Sequence, residues 1–130
     1  MRAHGSVLVF DPGDEFVATL QQYIADQQIA SAWFQAIGAF ETSVIAYWNR
    51  DTKRYEDIAV DEQVEVVALS GNVNRTKLHA HVVLGRRDGS TIGGHLKRGN
   101  VFPTLELWLS PLAEELIRKR DEATGLELIR

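Results

Sequence analysis

Leu78-His79-Ala80-His81-Val82-Val83-Leu84, with the Gly93-Gly94-His95 that follows it, is the most informative segment of the chain. These segments hold three of the chain's four histidines within 17 residues. The alternation of apolar and polar side chains predicts a β-strand, in which residues i and i+2 face the same side. His79 and His81 therefore share one face of the strand, and the apolar residues on either side of them face the core.

The turn that follows this strand determines where His95 lies. Residues 86–90, Arg-Arg-Asp-Gly-Ser, are typical of a hairpin turn. A two-residue loop at Asp88-Gly89 places His95 on the face away from His81. A three-residue loop, with its glycine left-handed in a G1 bulge, places the two histidines opposite each other. We favour the three-residue loop because it gathers the histidines, although a bulge at Gly93-Gly94 allows the other register to do the same.

The gathered histidines predict a metal site. Two imidazoles on one face need a third ligand, and His95 is the nearby candidate for a set made of His79, His81 and His95. The chain has no cysteine, so its metal ligands are nitrogen or oxygen atoms. The alternative is that His79 and His81 are two solvated histidines on an amphipathic strand. His4, near the N-terminus, is also interpreted as a solvated side chain.

Charge is distributed unevenly along the chain. The net charge is −4, yet residues 75–98 alone carry a net charge of +5. A cationic rim beside the histidines predicts binding of a small anionic ligand, although basic residues at strand ends also serve solubility and edge protection. The candidate ligand-binding residues of this rim are Arg86, Arg87, Lys97 and Arg98.

The remaining patterns predict a single α+β domain over residues 1–130, with a core at about 4–110 and a C-terminal tail at 111–130. Its mostly antiparallel central β-sheet packs against one long N-terminal helix at 14–27, where Asp14 and Glu15 suit the positive helix end. The tail is predicted to be weakly helical and then irregular. The predicted strands are 6–10, 29–37 ending at Gly38, 42–48, 53–58, 62–70, 77–84, 90–96 and 102–109.

Several segments, in order, resemble the PPC domain, the plants and prokaryotes conserved domain. The resemblance covers about residues 4–110. Its most specific parts are Leu78-His79-Ala80-His81-Val82 and the Arg-Asp-Gly-Ser-Thr-Ile-Gly-Gly-His-Leu of 87–96. Supporting segments are the Asp-Pro-Gly-Asp-Glu of 11–15, the Ala-Ile-Gly-Ala-Phe of 36–40 and the Glu-Val-Val-Ala-Leu-Ser-Gly-Asn of 65–72.

The resemblance implies a homotrimer with a central antiparallel sheet. Members of this type can hold a metal, usually taken as zinc, on residues that correspond to His79, His81 and His95. The large rings of this chain would then either fill its own core or be buried between subunits. These rings are Trp33, Phe34, Phe40, Trp48, Phe102 and Trp108.

The family's association with DNA is weakly supported by this sequence. Plant members carry AT-hooks before the domain, and prokaryotic members often bear a DNA-binding label. This chain has no Arg-Gly-Arg-Pro motif and is acidic, whereas duplex binding depends on phosphate neutralisation by basic side chains. DNA binding would require the basic hairpins of a trimer to form one patch.

Three functions therefore fit the sequence: a trimeric metal-binding domain for a small anion with hydrolytic chemistry, a DNA-associated regulatory module, and an assembly domain without catalysis. For the first, Glu65 is the candidate general base, and its alternative is a solvent-facing strand residue. The absence of cysteine fits a cytoplasmic protein, and no apolar run reaches membrane-spanning length, so no membrane partner is expected.

Overall fold

The fold is a curved antiparallel sheet with one helix packed on its inner face, as seen in a computed structural model that describes residues 1–130. The elements in chain order are β1 (Arg2–His4), β2 (Val7–Phe10), α1 (Phe16–Asp26), β3 (Ser31–Asn49), β4 (Arg54–Val60), β5 (Val64–Asn74), β6 (Leu78–Gly85), β7 (Thr91–Leu112), β8 (Arg118–Arg120) and β9 (Glu127–Ile129). The prediction of a mostly antiparallel sheet with one helix is confirmed.

Two long strands close the sheet on itself. β7 pairs with β6, β6 with β5 and β5 with β3, and β3 returns to pair with β7 over most of its length. The separate strands predicted at 29–37 and 42–48 are the single strand β3, and those at 90–96 and 102–109 are the single strand β7. Register shifts let these strands bend around the core instead of ending.

Gly38 shows why the prediction of two strands was wrong at this point. A Cβ on Gly38 would lie 2.3 Å from the carbonyl oxygen of Thr104, and its φ is +150°. Glycine is therefore required here because β3 and β7 approach each other closely. From the sequence pattern, the same glycine was predicted to end a strand.

Helix α1 is shorter than predicted, with 11 residues, and no helix is long and apolar enough to cross a bilayer. It buries Phe16, Leu20 and Ile24 against the sheet. The ring of Phe16 lies 6.0 Å from that of Phe34 and 6.5 Å from that of Phe40, between centroids. These three rings pack together in the hydrophobic core beneath the helix.

The large rings divide between the core and the surface. Phe34 and Phe40 are fully buried, as expected for rings that fill the monomer core. By contrast, Trp33, Phe102 and Trp108 are 45%, 45% and 65% exposed. The outer face of the sheet therefore presents apolar surface to solvent.

The C-terminal tail is not helical. β8 and β9 pair as a small antiparallel hairpin, and the chain before them is anchored to the sheet. The Leu116 N–H donates to Oγ of Ser31 at 2.6 Å, and Nδ2 of Asn74 donates to the Leu116 carbonyl at 2.8 Å. Since Ser31 and Asn74 are buried, these bonds satisfy polar groups that would otherwise be costly.

Glu15 is the N-cap of the helix, which begins at Phe16, two residues later than predicted. Its carboxylate accepts hydrogen bonds from the N–H groups of Val17, Ala18 and Gly99, the last of which belongs to β7. Glu15→Ala leaves all three donors without this partner, so we expect a loss of about 2 kcal/mol in the free energy of unfolding. Urea titration measures this, with the exposed Glu114→Ala as control. A Glu15→Ala protein as stable as the control would contradict the assignment.

Candidate metal centre

The hairpin between β6 and β7 has the register that gathers the histidines. The Arg86 N–H donates to the Ser90 carbonyl at 2.8 Å, and the Gly89 N–H donates to the Arg86 carbonyl at 2.9 Å. Gly89 has a φ of +83°, as the left-handed position of a three-residue loop requires. His81 is therefore directly opposite His95, which confirms the favoured register.

The three histidines form one cluster on the outer face of the sheet. Each offers a ligand nitrogen, and these nitrogens all lie within 4.8 Å of one another. Nε2 of His79 and Nε2 of His81 are 3.3 Å apart. The ring centroids are separated by 5.1 Å for His79 and His81, 5.3 Å for His79 and His95, and 5.7 Å for His81 and His95. The side chains converge on one point.

This geometry fits a zinc ion. Two nitrogens bound at about 2.0–2.1 Å in a tetrahedral arrangement lie about 3.3–3.4 Å apart, which matches the separation of the two Nε2 atoms. Nδ1 of His95 is buried and has no hydrogen-bond partner. A buried polar atom without a partner is rare, and a metal ion is one way to satisfy it. A hydrogen bond between His79 and His81 is the alternative explanation of their contact.

Electrostatics keep two of the histidines neutral. Burial, with smaller contributions from His79, His81, Lys77 and Lys97, lowers the pKa of His95 to about 4. Burial also lowers the pKa of His79, helped by His81, Arg118 and Lys77. Because only the neutral imidazole has a free lone pair for a metal, these environments favour the ligand form at neutral pH.

An aromatic and ionic layer fixes the ring of His95. The Tyr55 ring of β4 stacks on it with centroids 4.7 Å apart, and the Trp48 ring packs edge-on against Tyr55 at 5.1 Å. Nζ of Lys97 lies 5.6 Å from the Tyr55 centroid and 2.6 Å from Oδ1 of Asp57. The stacked Tyr55 ring therefore restricts the orientation of the His95 ring.

Glu65 is far from the histidines along the sheet. It pairs with Gly85, four residues along β6 from His81, and four residues of strand span about 13 Å. The carboxylate is thus out of reach of a water bound at the three histidines. The structure places Glu65 at the opposite end of β6 from the cluster.

The predicted basic rim is only partly at the cluster. Lys97 lies two residues from His95 and acts on its pKa. Arg86 forms an ion pair with Glu62 at 3.1 Å, at the far end of the hairpin, and Arg87 belongs to the loop itself. Arg98 follows on β7 and is exposed. The rim therefore extends along the hairpin instead of encircling the histidines.

Sequence reasoning missed two residues that the fold brings to the cluster. Tyr55 reaches His95 because β4 is the neighbour of β3 at that point, and Arg118 reaches the vicinity of His79 through the tail hairpin. Neither residue has a motif around it. The tail was predicted as weakly helical, which left no reason to place Arg118 near the site.

The closed antiparallel sheet and the outward-facing cluster of three histidines are the features that define this class of domain. The model of the Plants and Prokaryotes Conserved (PCC) domain matches residues 2–113. The chain belongs to this family, which is the one its motifs resemble.

Solved structures with the same fold include proteins of different description. A metal-containing protein of Archaeoglobus fulgidus is 34% identical, with a TM-score of 0.89 over 98% of this chain and 94% of that one. A plant- and prokaryote-conserved (PPC) protein of Pyrococcus horikoshii is 28% identical, with a TM-score of 0.87 over 95% and 89%. A "putative dna binding protein" of Bacteroides thetaiotaomicron is 27% identical, with a TM-score of 0.91 over 99% and 94%.

Curated relatives are much longer proteins. The chain is 30% identical over 121 residues to the bifunctional protein GlmU of Synechococcus strain JA-3-3Ab, covering 90% of this chain and 19% of that protein. A GlmU of a second Synechococcus strain is 32% identical over 122 residues. The chain therefore spans about a fifth of the length of these relatives.

Proposed function

We propose that this protein is a homotrimeric zinc-binding domain whose three histidines hold the ion and whose open coordination position binds a small anionic ligand. The observation that carries the proposal is the 3.3 Å separation of the Nε2 atoms of His79 and His81, beside the unpartnered Nδ1 of His95. The relative from Archaeoglobus fulgidus described as metal-containing, at 34% identity, supports the same conclusion.

A three-histidine donor set defines the chemistry that zinc would supply. Three neutral imidazoles leave one position of a tetrahedral ion free, which is typical of catalytic and not of structural zinc. A zinc ion held by these histidines would lower the pKa of a water molecule in that position to about 7, which is the chemistry that hydrolysis requires. The protein contributes the fixed rings of His79, His81 and His95 and the stacked Tyr55. Hydrolysis is thus the reaction class that we propose to screen.

The trimer proposal is supported by an apolar groove on the outer face of the sheet. Ile37, Val67 and Trp108 line this groove of about 530 Å³ and are 60%, 54% and 65% exposed. Contiguous exposed apolar surface of this kind marks interaction sites in soluble proteins. The occupant that the family resemblance supports is a second copy of this chain.

Trp108→Gln tests the groove as the subunit contact. Removal of a large ring from an interface centre weakens association, so we expect dissociation of the oligomer at a concentration at least about tenfold higher than for the wild type. Tyr47→Gln is the matched control, because Tyr47 is 63% exposed but does not line the groove. Sedimentation velocity across a concentration series measures both. Equal dissociation of the two variants would place the contact elsewhere.

A DNA-associated role is the second candidate. It is supported by the name of the Bacteroides thetaiotaomicron relative and by the net charge of +5 over residues 75–98. Two of those cations, Arg86 and Lys97, form ion pairs with Glu62 and Asp57, which reduces the free positive charge. DNA affinity that falls steeply with added salt would favour this role, because phosphate contacts release counterions.

Zinc content and subunit number together test the main proposal. Tag-free protein is analysed by elemental mass spectrometry and by light scattering, before and after addition of one zinc equivalent per chain. We expect about one zinc per chain in a particle of three chains. A particle that takes up no zinc would contradict the metal site, and a zinc-loaded monomer would contradict the trimer alone.

A further inference from the structure

Three positive side chains act on the histidine cluster, and the nearby carboxylates of Asp57, Glu115 and Glu127 lie beside those cations without forming an ion pair to Lys77 or Arg118. Lys77, Lys97 and Arg118 are the charged residues that act on His79 and His95, and no carboxylate hydrogen-bonds to the histidines. Lys97 is neutralised by Asp57, which leaves Lys77 and Arg118. A divalent ion held by neutral imidazoles adds further positive charge, so the centre as a whole favours an anion.

The tail delivers Arg118 to this centre by a defined route. The backbone of Leu116 is held by two buried side chains: its N–H donates to Ser31, and its carbonyl accepts from Asn74. Two residues later, Nη2 of Arg118 donates to Oδ1 of Asn72 on β5. Asn72 is directly opposite His79 on β6, where side chains on one face lie about 5 Å apart at Cβ. The guanidinium is thereby placed beside His79.

The guanidinium keeps donors free for a ligand. Nη2 uses one hydrogen on Asn72, and Nη1 makes a long contact of 3.3 Å to the Glu127 carbonyl. Each of these nitrogens carries a second hydrogen, and Arg118 is partly exposed. The planar fork of arginine matches two oxygens of a phosphate or carboxylate group. Nothing in the fold of the tail requires those remaining hydrogens.

We propose that Arg118 recognises the oxyanion group, phosphate or carboxylate, of a small ligand that occupies the open metal position beside His79. This inference rests on the zinc site proposed above and identifies the residue that selects the ligand's charge. The tail hairpin is then part of the site, because it supplies Arg118. Asn72 is the positioning residue, because it orients the guanidinium and does not itself need to touch the ligand.

The test is a calorimetric titration of the zinc-loaded full chain with inorganic phosphate and, separately, with acetate, at constant ionic strength set with chloride. We expect binding of at least one of the two anions. Arg118→Gln should weaken it roughly 10- to 100-fold while about one zinc per chain is retained, because charge-assisted hydrogen bonds are lost. Preference for phosphate or for acetate assigns the oxyanion.

Arg120→Gln is the matched control, since Arg120 lies on the same short strand, is exposed and carries the same charge. It should bind the anion within about twofold of the wild type. Arg118→Lys keeps the charge without the fork, and an intermediate affinity is expected if the first variant is too unstable to titrate. Unchanged affinity in the Arg118 variants with zinc bound, or no anion binding by the zinc-loaded wild type, would overturn this inference. Failure of every form to hold zinc would overturn the proposed metal site itself.

Discussion

His81→Ala should reduce zinc from about one per chain to less than about 0.1 per chain after treatment with a weak chelator and desalting. Zinc sites in proteins use at least three protein ligands, and this change leaves only His79 and His95. His81 is exposed and lies on the outer face, so its truncation removes no core contact. The free energy of unfolding of the metal-free protein should therefore change by no more than about 0.5 kcal/mol.

The control for this variant is His4→Ala, which removes an exposed histidine from β1, outside the cluster. It should retain full zinc content. Elemental mass spectrometry measures the metal, and urea unfolding followed by circular dichroism measures stability. Stoichiometric zinc in the His81→Ala protein would contradict the three-histidine site.

Gly71→Ala should lower the stability of the folded protein substantially. Gly71 lies on β5 between Phe34 of β3 and Ala80 of β6. A Cβ there would be 2.2 Å from the His79 carbonyl oxygen, 2.7 Å from Cζ of Phe34 and 2.9 Å from Cα of Ala80. Two of these atoms are backbone and the third belongs to a fully buried ring, so none can move away easily. We expect a loss of about 3 kcal/mol in the free energy of unfolding.

The same substitution should also weaken zinc binding, because the clash falls on the backbone of His79. Gly5→Ala is the comparison: Gly5 has a φ of +62° but no atom within 4 Å of the added Cβ. Its cost should be limited to left-handed strain of about 1–2 kcal/mol. Urea unfolding of both variants separates strain from clash. Equal losses in the two proteins would show that the close approach of β5 and β6 is unimportant.

The histidine hairpin could be predicted because its information is local. Alternation fixed the face of His79 and His81, and Asp88-Gly89 offered a small number of turn types. The choice between registers still used the assumption that the histidines meet. Hydrogen bonding at Arg86 and Ser90 supports that choice independently.

The long strands and the tail could not be predicted because their causes are tertiary. In the sequence alone, Gly38 is typical of a strand end. In the structure, glycine is required there because a Cβ would clash with the carbonyl oxygen of Thr104. The tail takes its path from Ser31 and Asn74, which lie 85 and 42 residues from Leu116 in sequence. Arg118 reaches the cluster through these long-range contacts, so no local pattern indicates its role. Glu65, which the resemblance suggested, pairs with Gly85 at the end of β6 that is far from the cluster.

Binding of zinc by the three histidines is tested most directly by locating the ion in crystals of the protein grown with one zinc equivalent per chain. Diffraction data collected on both sides of the zinc absorption edge give an anomalous difference map that marks the ion alone. We predict one strong peak per chain at about 2.0–2.1 Å from one nitrogen each of His79, His81 and His95. A map with no peak at these histidines, or with zinc held only by other residues, would contradict the three-histidine zinc site.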